Sequence, residues 1–249
     1  MNIIVSFKVV PDDQDIQVAG DRSLDFSKAK GIVSAYDLNA MEAAAQLADG
    51  GKVVAITAGA ASIDDGKLKK NVLARGVDEL IMCADDVCAN MDAHATACAL
   101  VPLVEKVGEY DLILCGDGSA DNYAQQVDVQ LAARLGLPVV NAVSKITPEA
   151  GAVVVERTLE DVVETVRVPL PAVVSVSPDV AVPRIPGMKD ILAAGKKPMD
   201  VAGAAGVCGS GLEVVSCLAP QQADRKLEIL DASADGAVAQ FAAALKAAL

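Results

Sequence analysis

The densest run of groups able to hold a ligand lies at residues 116–126, Gly-Asp-Gly-Ser-Ala-Asp-Asn-Tyr-Ala-Gln-Gln. It follows Leu-Ile-Leu-Cys at 112–115, a short apolar run of the kind that forms a buried strand. Gly116 and Gly118 let the backbone bend and approach a ligand, and a helix predicted over 123–135 would present free N–H groups that favour phosphate. Ser119, Gln125 and Gln126 add neutral donors. Asp117 and Asp121 would repel phosphate, so their expected roles are accepting from a ribose hydroxyl, capping the helix or facing solvent. The run is neither a GxGxxG nor a GK[ST] phosphate loop. By spacing alone the signal is weak, and a Gly-rich strand-to-helix turn without a ligand accounts for it.

Other chemistry is harder to assemble. His94 is the only histidine, set mid-helix in DAHATACAL, and reads as an ordinary helix residue. No Ser-His-Asp or Cys-His arrangement extends beyond it, and the carboxylate pairs Asp12-Asp13, Asp64-Asp65 and Glu160-Asp161 sit in turns. No catalytic residues are therefore expected. Asp85-Asp86 reads as a solvated acidic turn and not as a metal site. The six cysteines (83, 88, 98, 115, 208, 217) form no CxxC pair, so no metal site is expected. They read as buried small hydrophobes of a reducing, cytoplasmic protein.

Composition narrows the classes further. The chain has 249 residues, 53% hydrophobic, which is too apolar for intrinsic disorder. A net charge of −13 argues against a nucleic-acid backbone as partner, and 2% aromatics argues against a base-stacking platform. No apolar run reaches the roughly 18–20 residues of a membrane span. The start, MNIIVSFKVVPDD, reads as a first strand and not as a signal peptide.

These residues need elements to position them. Strands are expected at 2–10, 52–57, 79–83 and 112–115, and helices at 37–47 (Asp37 at or near the N-cap), 65–75, 92–107 and 123–135. Residues 14–30 read as an excursion or hairpin. Four strand–helix alternations predict a parallel sheet covered on both faces. An extended segment begins at 138–140, two β-like runs at 153–159 and 164–168 suggest a hairpin, and 172–176 is a further buried strand. A punctuated loop, a helical piece at 189–194, a Gly/Ala-rich flexible connector at 201–211, a short strand from Leu212, an acidic arm and a helix at 234–249 complete the chain. The expected organisation is an α/β domain at 1–200 and a connector with C-terminal arm at 201–249. In such sheets ligands bind beyond the carboxyl ends of the strands. Those ends are Ser6 to Lys8, Thr57-Ala58-Gly59, 84–86 and 116–126.

The order of several motifs resembles the beta (small) subunit of electron transfer flavoproteins, nearest to the Fix-type branch. The motifs are IIVSFKVVPD, DLNAMEAAAQL, LARGVDEL, DLILCGDGSADNYAQQV, VVERTLEDVVETVRVPLPAVVSV and VPRIPGMKDILAAGKKP. They cover residues 1 to about 200, and the tail APQQADRKLEILDA with its helix is similar to that family's C-terminal arm. The resemblance implies a doubly wound, mostly parallel sheet of the adenine-nucleotide alpha-hydrolase type, with an added β-hairpin and an arm ending in a helix.

It also implies a heterodimer with an alpha subunit, an FAD shared with that subunit, and AMP or a second FAD in the beta subunit. Electrons would pass from an acyl-CoA-type or other dehydrogenase through FAD to a quinone or reductase acceptor, with a quinone oxidoreductase and a ferredoxin-like protein as further partners. Matched onto this chain, the nucleotide contacts fall at Ser6, Lys8, Ser34, Ala35, Tyr36, Asp37, Ala58 and 116–127, thus including Tyr123, Ala124 and Val127. The partner-docking loop falls at 183–192, with Pro183, Arg184, Met188, Ile191 and Leu192, and Met188 as its exposed anchor. Arg157 would either face the alpha-subunit flavin or make an ordinary strand ion pair. The apolar face Val238, Phe241, Leu245, Leu249 would cover the alpha subunit or pack on its own domain. An electron carrier needs no acid–base residues of its own, in keeping with the missing catalytic set. The competing reading is a nucleotide-sensing regulatory module of the same fold without redox activity.

Overall fold

The apolar run after Met1 forms two strands where one is expected. β1 (Ile3–Ser6) is wholly buried, and the chain turns at Phe7 and Lys8 before β2 (Val9–Pro11). The excursion is a two-stranded ribbon of β3 (Gln17–Val18) and β4 (Leu24–Asp25), and β5 (Gly31–Val33) then pairs antiparallel with β2. The computed structural model describes residues 1–205, 207–222 and 227–248.

The alternation that follows matches expectation. α1 (Ala35–Leu47) leads to β6 (Val53–Gly59), α2 (Gly66–Leu73) to β7 (Glu79–Ala84), and α3 (Ala93–Val107) to β8 (Leu112–Gly116). α4 (Val127–Leu135) then precedes β9 (Val139–Glu149), β10 (Ala152–Thr158), β11 (Val163–Pro169) and β12 (Ala172–Val176). α5 (Met188–Ala194), β13 (Met199–Ala202) and α6 (Ala237–Ala248) complete the elements.

Nine strands form one sheet in the order β11-β10-β9-β12-β8-β1-β6-β7-β13. From β9 to β13 every neighbouring pair is parallel, and the β9–β10–β11 edge is antiparallel. Alternate side chains of one strand enter opposite cores. Ile3 and Val5 join α1 and α2 residues such as Met41, Ala44 and Leu73, while Ile4 joins α3 and α4 residues such as Leu100, Leu103 and Leu131. Burial on both faces is why these strands are continuous apolar runs. Each such Ile, Leu or Val contributes roughly 1.5–3 kcal/mol relative to an exposed one.

Several boundaries differ from the sequence expectation. α1 begins at Ala35 with Ser34 as N-cap, so Asp37 lies inside the first turn. α4 begins at Val127, because Tyr123 and Gln125 take positive φ (45° and 54°) and interrupt helical geometry at 123–126. The expected connector begins as an edge strand, β13, which pairs parallel with β7. A four-residue strand in Ala/Gly-rich sequence has little signal of its own, and the partner edge supplies the hydrogen bonds. No strand forms at 212–216. Residues 223–226 of the acidic arm, Gly206 of the connector and Leu249 of the last apolar face lie outside the described residues.

The cysteines correct the expectation most. Cys98 on α3 and Cys208 of the connector form a disulfide across 110 residues, and Cys217 is exposed. Cys83, Cys88 and Cys115 are free and buried as expected. No spacing rule could pair Cys98 with Cys208, because the connector reaches α3 only once the fold is formed.

The chain divides into two compact units, Met1–Gln17 with Asp25–Ser216, and Val18–Leu24 with Cys217–Leu249. The first contains the nine-stranded sheet. In the second, Ser23 bridges antiparallel to Leu218, the Ala219 N–H donates to the Arg22 carbonyl (2.9 Å), and α6 exposes Val238, Phe241 and Leu245. Among the described residues no helix is long and apolar enough to cross a membrane.

Candidate functional site

β1 lies between β8 and β6, so the chain crosses to both sides of it, and this is where an open α/β sheet leaves a crevice at its carboxyl edge. Lys8 stands past the end of β1, Thr57 to Gly59 end β6, and Gly116 ends β8.

Asp37 ties two of these ends together. Its Oδ2 accepts from the Lys8 N–H (2.7 Å) and its Oδ1 from the Gly116 N–H (3.1 Å). Burial pushes the carboxyl up to about 7 against the pull of those two hydrogen bonds. A Cβ on Gly116 would collide with Tyr36 and Asp37, so glycine is required for this close approach.

Beyond Gly116 the loop folds back over the start of α1. The Ala120 N–H donates to Ser34 Oγ (3.2 Å). Lys8 Nζ donates to both oxygens of Asp121 (2.8 and 2.6 Å), and Ser119 Oγ donates to the first of them (2.5 Å). Burial alone would raise Asp121, but the hydrogen bonds from Lys8 and Ser119 and the Lys8 charge outweigh it and hold the carboxyl below its usual range.

Two tyrosines close the other side. The Tyr123 hydroxyl donates to Asp117 Oδ2 (3.1 Å), and its ring meets Tyr36 with centroids 5.1 Å apart. A Cβ on Gly118 would run into the Tyr123 ring. Asp117 Oδ1 is buried without a hydrogen-bond partner, and burial raises its carboxyl. A buried acceptor left unpaired costs about 1–3 kcal/mol, so it marks a place for a donor.

Lys8, Ser34, Tyr36, Asp37, Gly116, Asp117, Gly118, Ser119, Asp121 and Tyr123 thus meet at one corner of the sheet. The other expected residues stand differently. Thr57 is fully buried, and its hydroxyl donates to the Phe7 carbonyl (2.6 Å), locking β6 to β1. Ser6 Oγ donates to the buried Cys115 sulfur (3.1 Å). Ala58 and Gly59 are half-buried at the strand end, with Gly59 packed beside Ile63. Ala35, Ala124, Gln125 and Gln126 are exposed, and Val127 is the first residue of α4. Asp85 and Asp86 are turn caps, accepting from the Val87 (3.1 Å) and Ala61 (3.1 Å) N–H groups.

The residues fit an adenosine phosphate. Lys8 supplies a cation, Asp117 Oδ1 an acceptor for a hydroxyl or amino group, the tyrosines flat apolar surface, and the glycines close backbone. Of the loop's two carboxylates, Asp121 pairs with Lys8, and Asp117 keeps one buried oxygen unpaired.

The second expected site, residues 183–192, is exposed and firmly anchored. Arg184 pairs with the buried Glu42 through Nε (2.6 Å) and the terminal nitrogen Nη2 (2.9 Å), and its backbone N–H donates to the same carboxylate (3.1 Å). The Arg184 hydrogen bonds hold Glu42 down to about 2. Pro183 precedes this anchor, and Met188 and Leu192 beyond it are 74% and 69% exposed, with Ile191 at 39%. Ile185, inside the expected loop but not singled out, is 93% exposed, and Val182, just before the expected range, is 87% exposed; both widen the apolar surface. Sequence reasoning missed Asn39, whose Nδ2 donates to the Pro178 (3.1 Å) and Ala181 (2.8 Å) carbonyls and fixes the loop's approach. Arg157 makes the ordinary strand pair, donating to Glu164 (2.7 Å) and Asn141 (3.0 Å).

Residues 23–207, well over half of the chain, match the family model described as "Electron transfer flavoprotein domain".

Proposed function

The chain belongs to the electron transfer flavoprotein family, and from that premise we propose that it is the small, beta-type subunit of a heterodimeric carrier, of the Fix-type branch. In this reading the corner at Lys8, Asp37 and 116–127 holds an adenine nucleotide, AMP or the adenosine end of a second FAD. The alpha subunit holds the FAD shared with this chain. The observation that carries the reading is the buried, unpartnered Asp117 Oδ1 in a glycine-bent loop at the switch point of the sheet, a loop whose Asp121 is held by Lys8.

FAD supplies the redox chemistry when bound. This chain's residues bind and orient. Lys8 would exchange its contact with Asp121 for a phosphate oxygen, Ser34 and the 118–120 backbone would line that phosphate, and Asp117 would accept from the nucleoside. The chain itself is no enzyme. The exposed apolar loop at 183–192 would dock a dehydrogenase of the acyl-CoA type or another class, with a quinone oxidoreductase or a ferredoxin-like protein as further partners. α6, with its exposed Val238, Phe241 and Leu245, would lie on the alpha subunit. The compartment of this reading is the cytoplasm.

The test is to purify the chain with its coexpressed candidate alpha subunit and extract the nucleotides. One FAD with AMP per pair is expected of a simple shuttle, and two FAD of a bifurcating one. A chain that stays uncomplexed, colourless and free of adenine nucleotide would overturn the proposal. Nucleotide bound by the isolated chain without flavin-dependent electron transfer would favour the sensing module instead.

A further inference from the structure

Three soft donors meet away from the nucleotide corner. His94 and Cys98 stand four residues apart on α3, so they share one face of the helix. The connector brings Cys208 to the same face. One ligand atom from each of the three lies within 4.8 Å of the others. From this geometry we propose that, once the Cys98–Cys208 disulfide is reduced, His94, Cys98 and Cys208 bind a thiophilic divalent cation of the Zn2+ class.

The dimensions agree. With Zn–S near 2.3 Å and Zn–N near 2.0–2.1 Å, tetrahedral ligand atoms stand roughly 3.3–3.8 Å apart. Breaking the sulfur–sulfur bond and letting the two sulfurs separate within the observed cluster reaches that spacing. Cys208 does not depend on the disulfide to stay close. The Gly211 and Leu212 N–H groups donate to Asp92 Oδ2 (2.7 and 3.2 Å). Asp92 N–H donates to Ser210 Oγ, and Ser210 Oγ donates to the Asn90 carbonyl (3.1 Å each). Asp92 also caps α3 by accepting from the Ala95 N–H (2.8 Å). The connector is therefore pinned to the start of α3 by hydrogen bonds that reduction leaves intact.

A cleft of about 340 Å3 opens beside His94, lined by Asp92, Gln126, Gln130, Gly211 and Leu212. It leaves room for a water or an amide oxygen as fourth ligand, the arrangement of a three-ligand zinc site. Arg134 lies 3.1 and 3.3 Å from the two His94 ring nitrogens. It is exposed and must release one of them to the ion. A divalent ion with two thiolates carries no net charge, so the guanidinium does not oppose it.

The two states exclude each other. A dithiol reductant gives two electrons and two protons to the disulfide, becoming a disulfide itself and leaving two thiols. The ion then displaces both thiol protons and binds the thiolates with the neutral imidazole. Soft thiolates select Zn2+-like ions over Mg2+ or Ca2+. The other close cysteine pair, Cys83 and Cys88, has sulfurs 3.7 Å apart but belongs to no group of three metal-ligating side chains among the described residues.

The test uses the full-length chain, oxidised or reduced by a dithiol, with excess reductant removed under argon. It is then titrated with Zn2+ against a chromophoric chelator and with Co2+ as optical probe. Expected are one ion per reduced chain, a thiolate-to-Co2+ charge-transfer band, and no uptake by the oxidised chain. Cys98→Ser should abolish the band. His94→Gln, at an exposed position where folding is not at risk, should weaken Zn2+ about tenfold or more, the scale on which losing a hydrogen-bond partner behind a ligand already acts. Cys83→Ala should change neither. Failure of the reduced chain to take up Zn2+, or uptake that survives His94→Gln and Cys98→Ser unchanged, overturns the proposal.

Discussion

Lys8 and Asp121, 113 residues apart in sequence, meet at the carboxyl edge of the sheet with Nζ bonded to both carboxylate oxygens at 2.8 and 2.6 Å. The pair is half-open to water, with 43% and 26% of the two side chains exposed. A surface pair of this kind contributes about 0–1 kcal/mol to stability, and in the proposed function its role lies with the nucleotide. Lys8→Ala should weaken AMP binding by about tenfold or more, the loss of a charge-assisted hydrogen bond of roughly 1.5–3 kcal/mol. Asp121→Asn should tighten it, because the competing carboxylate is gone. Calorimetric titration with AMP checks both, and unchanged affinity in Lys8→Ala removes Lys8 from the site.

In the proposed function Asp117 meets the nucleoside and Lys8 the phosphate, so their variants should separate the two. Asp117→Leu should weaken adenosine and AMP alike, whereas Lys8→Ala should spare adenosine. The replacement also removes a buried unpaired acceptor, so thermal stability should hold despite the lost Tyr123 hydrogen bond. Parallel titrations with the two ligands decide it. Equal adenosine affinity in Asp117→Leu and the parent would place the nucleoside elsewhere.

Asp37 makes stability depend on pH. Its folded-state carboxyl stands near 7 against an ordinary 3.8. Between those values the folded chain retains a proton that the unfolded chain has lost. Stability should therefore be full below about pH 4, fall as pH rises, and level off above about 7. Urea midpoints across pH 4–8 would show the slope. Asp37→Asn should flatten it, at a cost of about 1–3 kcal/mol because one of the two backbone donors then faces an amide N–H. A slope of the same size in Asp37→Asn would assign the pH dependence to other groups.

Glu42 works in the opposite sense. Arg184 holds its carboxyl near 2 against an ordinary 4.5, so its contribution is present above about pH 4.5 and is lost as pH falls toward 2. Glu42→Gln should loosen 183–192 first and the sheet little. Hydrogen exchange should speed up at Arg184, whose N–H donates to Glu42. Protection that matches the parent's would show that the loop is held by other contacts.

Met188, 74% exposed on the same loop, should matter to partners and to little else. Met188→Asp should leave the melting temperature within about 0.5 kcal/mol equivalent, as surface changes do. It should also slow electron transfer with the dehydrogenase partner. Equal rates for variant and parent would move the docking surface off this loop.

The sequence alone determined the layered α/β plan. Buried parallel strands must be apolar throughout, and helices between them must carry one apolar stripe, so runs such as 52–57 and 112–115 declare themselves. It also marked 116–120 as the place where the backbone bends, since glycine and small polar residues are local signals, but it carried the next helix back to 123. The rest depended on tertiary contact. That Asp37 bonds the Lys8 and Gly116 N–H groups, that Asp117 is buried with one oxygen unpaired, and that Tyr123 and Gln125 delay the start of α4 to Val127 all follow from elements meeting across the sheet. β13 acquires strand structure only from the free edge of β7. The Cys98–Cys208 bond joins residues 110 apart. A side chain's partner at such separations is set by how the layers pack, and no local pattern of residue types encodes that distance.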